Sequence, residues 1–245
     1  MLLARAFRAR ARRPATPGSA PCALARTIPW NRSAERPLAA VFVTLEGVDG
    51  AGKSTQAQLL AAALGPETLL LREPGGTPAG ERLRGLLKDA DVDLTPRAEL
   101  MLFCAARAEL VERVIRPALA AGRDVVCDRF VDSTVAYQGG ARGIDRDLVR
   151  SLNAAAVGDC MPDRTIVLRL DGALAAGRAA GRCGSPISDR FESEGPAFQD
   201  RIAAEFERIA AAEPGRVVVV DASGIVEEVH ARVLAALGPR RTEDR

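Results

Sequence analysis

The chain has 245 residues, a formal net charge of +2 and a hydrophobic content of 47%. This length and composition are sufficient for one large α/β domain with a buried core. The sequence has no apolar run of about 18 residues, so we expect no membrane-spanning helix. The five cysteines lie far apart without a CxxC pair. We therefore interpret them as free thiols in a reducing compartment and expect a cytoplasmic location.

Residues 1–38 differ in composition from the rest of the chain. They contain eight arginines, five prolines and one acid, Glu35, so their net charge of +7 leaves −5 for residues 39–245. We predict a disordered, dispensable extension or an upstream start codon wrongly assigned. A transit peptide and an arm for nucleic acid or an acidic partner are the alternatives. The folded domain is predicted over residues 39–240, with a charged tail over residues 241–245, and the negative domain argues against nucleic-acid binding.

A phosphate-binding loop is predicted from Gly47 to Thr55, which fits the pattern GxxxxGK(S/T). A predicted strand over residues 41–46 precedes it, and a predicted helix from Lys53 to Leu64 follows. In this context backbone N–H groups and the helix N-terminus point at one anion. Lys53 is one of only two lysines in the chain, which favours a specific phosphate contact. We predict a nucleoside triphosphate site formed by Gly47, Val48, Asp49, Gly50, Ala51, Gly52, Lys53, Ser54 and Thr55.

Arg72 follows a predicted apolar strand over residues 68–71 and precedes Pro74 and two glycines. In doubly wound sheets ligands bind beyond the carboxyl ends of the strands. Arg72 is therefore a candidate ligand residue, with a surface arginine on a turn as the alternative. A short amphipathic helix is predicted over residues 78–90.

Thr95 and Pro96 predict the start of a long helix that runs to about Ala121 and bends near Pro117. Phe103 and Arg107 are one turn apart on its apolar stripe. An aromatic ring beside the N–H donors of a guanidinium group suits the binding of a nucleobase. The alternative is an arginine that reaches the helix rim or pairs with an acid in the core.

A third strand is predicted over residues 124–127 and ends in Asp128 and Arg129. An acid at this position, facing a phosphate loop, can order Mg²⁺ or its waters, and the arginine can hold a phosphate through two bonds. Small hydrogen-bonding side chains then follow, with the only tyrosine of the chain, at Ser133, Thr134, Tyr137 and Gln138.

The remaining segments complete an α/β pattern. Two more strands are predicted over residues 165–170 and 216–221, and helices over residues 145–157, 196–212 and 224–237. A Gly-rich stretch over residues 172–195 contains Arg178, Arg182 and Arg190. We predict a lid that closes these arginines over the triphosphate, with a solvated loop as the alternative. The fold expected is a P-loop NTPase-type five-stranded parallel sheet with helices on both faces and a short lid.

The number of cationic groups at the strand ends exceeds what a hydrolase requires, and this favours a second anionic substrate. A phosphate monoester acceptor is already ionised near neutrality and needs no histidine base. A deoxynucleoside kinase and a nucleotide-dependent switch are the alternatives. A nucleoside kinase would place a carboxylate base at the acceptor, and a guanine-specific switch would show an Asn-Lys-x-Asp stretch, which is absent.

Five motifs together resemble the bacterial thymidylate kinases (dTMP kinases) over roughly residues 40–237. They are the phosphate loop with Val48-Asp49, REPGGT from Arg72 to Thr77, FCAAR from Phe103 to Arg107, Asp128-Arg129, and STVAYQ from Ser133 to Gln138. The resemblance implies phosphorylation of dTMP to dTDP with ATP and Mg²⁺, and a homodimer. Phe130 stands where many relatives have tyrosine.

The resemblance also implies a role for each matching residue. Asp49 approaches the sugar 3′-hydroxyl, Arg72 and Arg129 hold the dTMP phosphate, Phe103 stacks on thymine, and Arg107 bonds its edge. The base and sugar pocket is lined by Ser133, Thr134, Tyr137 and Gln138, with Tyr137 disfavouring a 2′-hydroxyl. Ser54 and Asp128 hold the metal. Because Gly50 has no side chain, the catalytic cation beside Lys53 is expected from the lid, from Arg178, Arg182 or Arg190.

Overall fold

The computed structural model describes residues 40–180, 191 and 194–238. The predicted extension over residues 1–38 and the predicted tail over residues 241–245 lie outside them. Two of the three candidate lid arginines, Arg182 and Arg190, also lie outside the described residues.

Five parallel strands form one sheet in the order β2-β3-β1-β4-β5. They are β1 (Phe42–Glu46), β2 (Leu69–Arg72), β3 (Val125–Asp128), β4 (Arg164–Arg169) and β5 (Val217–Asp221). Phe42 lies opposite Val125 on one side of β1, and Val43 lies opposite Arg164 on the other. The five-stranded parallel sheet predicted from the apolar runs is confirmed, and β1 with its following loop lies at its centre.

Helices connect the strands and cover both faces of the sheet. They are α1 (Lys53–Leu64), α2 (Pro78–Lys88), α3 (Pro96–Leu110), α4 (Arg116–Ala120), α5 (Val131–Thr134), α6 (Arg146–Val157), α7 (Gly172–Ala180), α8 (Pro196–Ala212) and α9 (Val226–Leu237). Two π-helical turns, Val111–Ile115 and Val135–Ala141, follow α3 and α5. No helix in the described part of the chain has both the length and the apolar character to cross a membrane.

The side chains on the two sides of β1 pack into two different hydrophobic clusters. Val43 and Leu45 pack in one cluster with residues of α1, α8 and α9, and Phe42 packs in the other with residues of α3 and α6. Strand side chains alternate between faces. Because both faces are covered, every residue of β1 is buried, which is typical of a parallel sheet.

The start of the long helix agrees with its predicted cap. Thr95 Oγ1 accepts a hydrogen bond from Ala98 N, and Pro96 is the first helical residue. Near the predicted bend at Pro117, the helix departs from α geometry in the π turn at Val111–Ile115. Proline lacks the N–H that would complete the preceding turn. The helix therefore widens before Pro117 and continues through it as α4.

A buried ion pair joins α5 to the start of β5. Both guanidinium nitrogens of Arg216 bond Asp132, at 2.7 and 2.8 Å. Asp132 also accepts from Thr165 Oγ1, which lies 2.8 Å from Thr44 Oγ1 on the central strand. This chain of contacts ties the segment after β3 to β1, β4 and β5.

We expect Asp132→Asn to lower the free energy of unfolding by about 3 kcal/mol, because the change leaves Arg216 without its buried counter-charge. Asp147→Asn is the matched control, since Asp147 pairs with Arg150 on the surface and such pairs contribute little. Urea unfolding followed by circular dichroism measures both. Equal stabilities of the two variants would contradict the structural importance of the buried pair.

Candidate functional site

One cavity of about 180 Å³ opens at the carboxyl ends of β1, β2 and β3. It is lined by Asp49, Lys53, Ser54, Glu73, Pro74, Arg84, Leu87, Lys88, Phe103, Arg107, Asp128, Arg129, Ser133, Thr134, Tyr137, Gln138 and Phe191. The loop after β1 and the segments that follow β2 and β3 all reach it. The predicted phosphate residues and most of the predicted base residues therefore share one cavity.

The loop after β1 has the backbone that its glycines permit. Gly47, Gly50 and Gly52 have φ values of 135°, 84° and 93°, a region that other residues rarely adopt. At Gly50 a Cβ would overlap the carbonyl oxygen of Ala175 on α7. The absence of a side chain at Gly50 is therefore required by packing, and no cation can project from this position.

Lys53 is buried, and its ammonium group donates to the carbonyl oxygen of Val48 at 2.8 Å. It also lies 3.9 Å from Asp49 Oδ1. Burial, with the nearby Arg129, lowers the pKa of Lys53 to about 8. A buried ammonium with so little compensating charge favours an anion beside it, such as a phosphate.

Asp49 connects the phosphate loop to two other predicted site residues. Its Oδ1 accepts from Arg129 Nη2 at 2.5 Å, and its Oδ2 accepts from the Tyr137 hydroxyl at 3.3 Å. The Arg129 guanidinium also lies 5.0 Å from the centroid of the Tyr137 ring, and burial raises the pKa of Tyr137. Three side chains from three segments are thus positioned by one carboxylate.

Glu46, the last residue of β1, holds the segment after β3 in place. Its carboxylate accepts from Phe130 N at 2.7 Å, and from both the backbone N–H and the hydroxyl of Ser133. Arg129 lies beside these contacts with a φ of 71°, in the left-handed region. Burial and the neighbouring Asp132 raise the pKa of Glu46, while its hydrogen bonds oppose that shift.

Arg107 is fully buried and is held by partners from three segments. Its Nε and Nη2 donate to Glu73 Oε2 at 2.9 and 2.7 Å, and its Nη1 donates to Asn153 Oδ1 at 2.6 Å. Nη2 also donates to the carbonyl oxygen of Phe130. The alternative of an arginine paired with a core acid is therefore what this structure contains, and Arg107 also lines the cavity.

Aromatic and polar side chains form the inner walls of the cavity. Phe103 and Tyr137 lie 5.8 and 6.2 Å, centroid to centroid, from the buried Phe191. Thr134 and Gln138 are also buried and line the same space. The predicted aromatic and hydrogen-bonding residues are thus brought together, and Phe191 adds a ring that the sequence analysis did not assign.

Arg72 differs from its predicted role. Its guanidinium bonds Glu81 at 3.1 Å and is about half exposed, and Arg72 is not among the described residues that line the cavity. Two other cations of α2, Arg84 and Lys88, do line it, and Arg84 Nη1 donates to the carbonyl oxygen of Pro74. The helix after β2 therefore places two cations on the cavity wall, while the role predicted for Arg72 stays a prediction.

Ser54 and Asp128 lie together as the predicted metal residues. Ser54 Oγ donates to Asp128 Oδ2 at 2.5 Å, while Asp128 Oδ1 is buried and has no hydrogen-bond partner in the described chain. The described residues contain no cluster of three or more acids, histidines or cysteines suited to a metal. Mg²⁺ bound with substrate phosphates needs only one or two protein oxygens, so this pair fits it.

Arg178, the one candidate lid arginine within the described residues, lies on α7. Its Nη1 and Nη2 donate to the carbonyl oxygens of Ala222 and Gly224, at 3.1 and 3.2 Å. It therefore lies beside the loop after β5 and contacts none of the described cavity residues through these bonds.

A family model described as thymidylate kinase matches residues 45–233. The chain belongs to the thymidylate kinase family. A thymidylate kinase of Cereibacter sphaeroides is 50% identical over 204 residues, which cover 81% of this chain and 94% of the relative. One of Rhizorhabdus wittichii is 50% identical over 200 residues, 80% of this chain and 96% of the relative. The crystal structure of thymidylate kinase from Ehrlichia chaffeensis superposes with a TM-score of 0.65 at 35% identity and covers 81% of this chain and 99% of that one.

Membership of the thymidylate kinase family confirms the resemblance that the five motifs indicate. The residues that the motifs did not assign are mostly those that hold or extend the site, namely Glu46, Glu73, Glu99, Arg84 and Lys88. Two of them had a sequence signal, because the two cations of α2 are four residues apart and share one helix face. The acids had no such sequence signal, since nothing in the sequence shows that an acid has a buried partner on another segment.

We expect Lys53→Met to lower kcat/KM by at least about 100-fold, because it removes a cation from the phosphates. The melting temperature of the nucleotide-free chain is expected to stay equal or to rise. The pKa of Lys53 is lowered to about 8 from 10.5, so burial disfavours its charged form, and removal of that charge relieves the penalty at neutral pH.

Coupled-enzyme kinetics and differential scanning fluorimetry measure these two effects. Arg150→Met, which removes an exposed cation of α6, is the control and is expected to change neither quantity. Unaltered turnover in Lys53→Met contradicts the phosphate assignment, and a lower melting temperature contradicts the desolvation argument.

Proposed function

We propose that this cavity transfers the terminal phosphoryl group of ATP to dTMP, giving dTDP. Family membership supports the reaction itself. The observation that carries the assignment to this cavity is that a phosphate loop residue, Lys53, lines the same space as the aromatic and amide groups of Phe103 and Gln138. The donor phosphates and the base of the acceptor would therefore lie in the same cavity, close enough for one acceptor nucleotide to contact both regions.

The donor is assigned to the loop from Gly47 to Thr55. Its backbone N–H groups and the N-terminus of α1 suit the phosphates, and Lys53 provides the point charge beside them. Mg²⁺ is assigned to Ser54 and Asp128, because the unpartnered Asp128 Oδ1 is available to the ion or its waters. The ion would neutralise charge on the transferred group and orient the phosphates.

The acceptor phosphate is assigned to Arg129, with Arg84 on the facing wall. Arg129 comes directly after β3, and its left-handed backbone directs the side chain back across the phosphate loop toward Asp49. Arg72 would reach the phosphate only by leaving Glu81, so we give the contact to Arg84 first. A phosphate monoester needs no general base, and the site therefore acts through position and charge.

The sugar and base are assigned to the inner walls. Asp49, already bonded to the Tyr137 hydroxyl, would accept from the 3′-hydroxyl, and the Tyr137 ring would leave no space for a 2′-hydroxyl. Phe103 would stack on thymine, and Arg107 would bond its edge. The base and sugar pocket would be completed by Ser133, Thr134 and Gln138.

The second catalytic cation is assigned to the segment after α7. Packing of Ala175 excludes a side chain at Gly50, and Arg178 bonds carbonyl oxygens on the far side of α7. Arg182 and Arg190 therefore become the first candidates to contact the transferred phosphoryl group.

The central test is ADP formation from ATP and Mg²⁺ with dTMP, dUMP, dCMP, thymidine or no acceptor. We expect the highest rate with dTMP and a lower rate with dUMP. Thymidine is expected to give only the background rate, because it lacks the phosphate that Arg129 holds. Chelation of Mg²⁺ with EDTA should abolish the reaction.

Arg129→Ala should lower kcat/KM for dTMP by at least about 100-fold, with Arg150→Ala as the control. Stimulation by thymidine alone would assign the cavity to a nucleoside kinase. Equal hydrolysis with and without every acceptor would favour a nucleotide-dependent switch.

We also propose a homodimer formed through α2 and α3. Leu86 and Met101 are large apolar side chains, 38% and 49% exposed, on two helices that pack against each other, and a continuous apolar patch formed by such helices would suit an interface. Sedimentation velocity should show a dimer, and Met101→Glu should convert it to a monomer. Leu234→Glu, on α9, is the control and should remain dimeric. A monomeric wild type would refute this proposal.

Within the described residues, Cys104 and Cys127 are buried free thiols. Free thiols support a reducing compartment, and on that basis we assign the enzyme to the cytoplasm. Cell fractionation tests this assignment, and recovery of the protein outside the cytoplasmic fraction would overturn it.

A further inference from the structure

Glu99 is a buried acid of α3 that contacts the cavity wall from behind. Its side chain is 1% exposed, and it does not belong to the described residues that line the cavity. Its Oε1 accepts a hydrogen bond of 2.8 Å from Gln138 Nε2. Gln138 itself is buried and does line the cavity. Glu99 therefore contacts the cavity only indirectly, through one hydrogen bond to a residue that lines it.

The contact with Glu99 determines which way the amide of Gln138 faces. An ionised carboxylate can only accept hydrogen bonds, so the group that Gln138 presents to it must be the NH₂. The carbonyl oxygen, Oε1, must then point the other way, and within the described chain it makes no hydrogen bond. The cavity wall at this position is therefore an acceptor and not a donor.

Arg142 pairs with Glu99 and holds its carboxylate in place. Two of its nitrogens lie 3.3 Å from the two carboxylate oxygens of Glu99. The same guanidinium bonds Glu194 and lies 4.8 Å from the centroid of the Phe198 ring. These contacts fix the cation in place, and the cation in turn stabilises the charge on the buried acid.

Arg107 supplies the complementary group in the same cavity. Its guanidinium has five N–H donors, and four are used by Glu73, Asn153 and the Phe130 carbonyl. Within the described chain one N–H remains for a ligand. The cavity thus offers one donor from Arg107 and one acceptor from Gln138 to the edge of a base.

We propose that Glu99 is a positioning residue that makes the enzyme selective for a base with an N–H next to a carbonyl. Thymine presents O4 to a donor and N3–H to an acceptor, whereas cytosine presents an amine and an unprotonated N3, the reverse pattern. The inference rests on the proposed dTMP reaction and on Gln138 as a base contact. It adds the reason why the amide of Gln138 cannot rotate to accept the wrong base.

The test compares dTMP with 5-methyl-dCMP, which has the same shape and methyl group but the reversed hydrogen-bonding edge. Glu99→Gln replaces an acceptor-only group with an amide that can donate or accept, so the Gln138 amide becomes free to turn. The ratio of kcat/KM for dTMP over 5-methyl-dCMP is expected to fall at least tenfold, in line with one mispaired buried hydrogen bond. A merely structural role would lower both values and leave the ratio unchanged.

Glu205→Gln is the matched control, because Glu205 is also a buried acid, paired with Arg146 and Arg208 away from the cavity. It is expected to lower stability without changing the ratio. Arg142→Gln provides a second route that leaves Glu99 in place. Without the two Arg142 contacts the Glu99 carboxylate is no longer fixed against the Gln138 amide, so the ratio should fall here as well.

The outcomes separate the two proposals. A wild-type enzyme that does not phosphorylate dTMP refutes the proposed reaction. If the wild type prefers dTMP and the ratio is unchanged in folded Glu99→Gln, only the role of Glu99 is overturned. If Glu99→Gln does not fold, an unchanged ratio in Arg142→Gln overturns that role instead. A ratio that falls in these variants and not in Glu205→Gln supports it.

Discussion

The site depends on one buried carboxylate, that of Glu46. It ends the central strand and bonds the backbone after the neighbouring strand at Phe130 and Ser133. The two segments that carry the phosphate loop and Arg129 are thereby held against each other, although 87 residues of sequence separate Glu46 from Ser133. A hydrogen bond in a water-free interior is stronger than the same bond in water, and Glu46 accepts several of them from this segment. Arg129 can adopt its left-handed backbone because this contact compensates for it.

Each buried cation of the cavity lies near an acid, and the acids compensate the positive charges to different degrees. Arg107 is paired with Glu73 and Arg129 with Asp49, while the Lys53 ammonium lies 3.9 Å from Asp49 and donates to one carbonyl oxygen. Lys53 is the cation whose pKa is depressed within the reach of neutral pH. The position assigned to the donor phosphates is therefore also the position where burial disfavours positive charge within reach of neutral pH. A bound anion stabilises the charged form of Lys53 there.

The sequence was informative wherever a signal was local. The five strands follow from short apolar runs, and the phosphate loop follows from glycines and Lys53, because spacing along one segment determines both. The start of α3 follows from Thr95 and Pro96 for the same reason. The partner of Arg107 was not predictable, since Glu73 and Asn153 come from two distant segments. The pairing of Arg72 with Glu81 was not predictable for the same reason, because a side chain's direction at a strand end depends on what packs beside it.

The contact between Gly50 and Ala175 also limits how this enzyme can change over time. An arginine at position 50 would have to adopt a φ of 84° and displace a helix backbone. Replacement of this glycine alone would therefore damage the donor site before any new cation could act. A lineage that places a cation at position 50 must also shift α7, so such a change needs at least two coordinated substitutions and not one mutation.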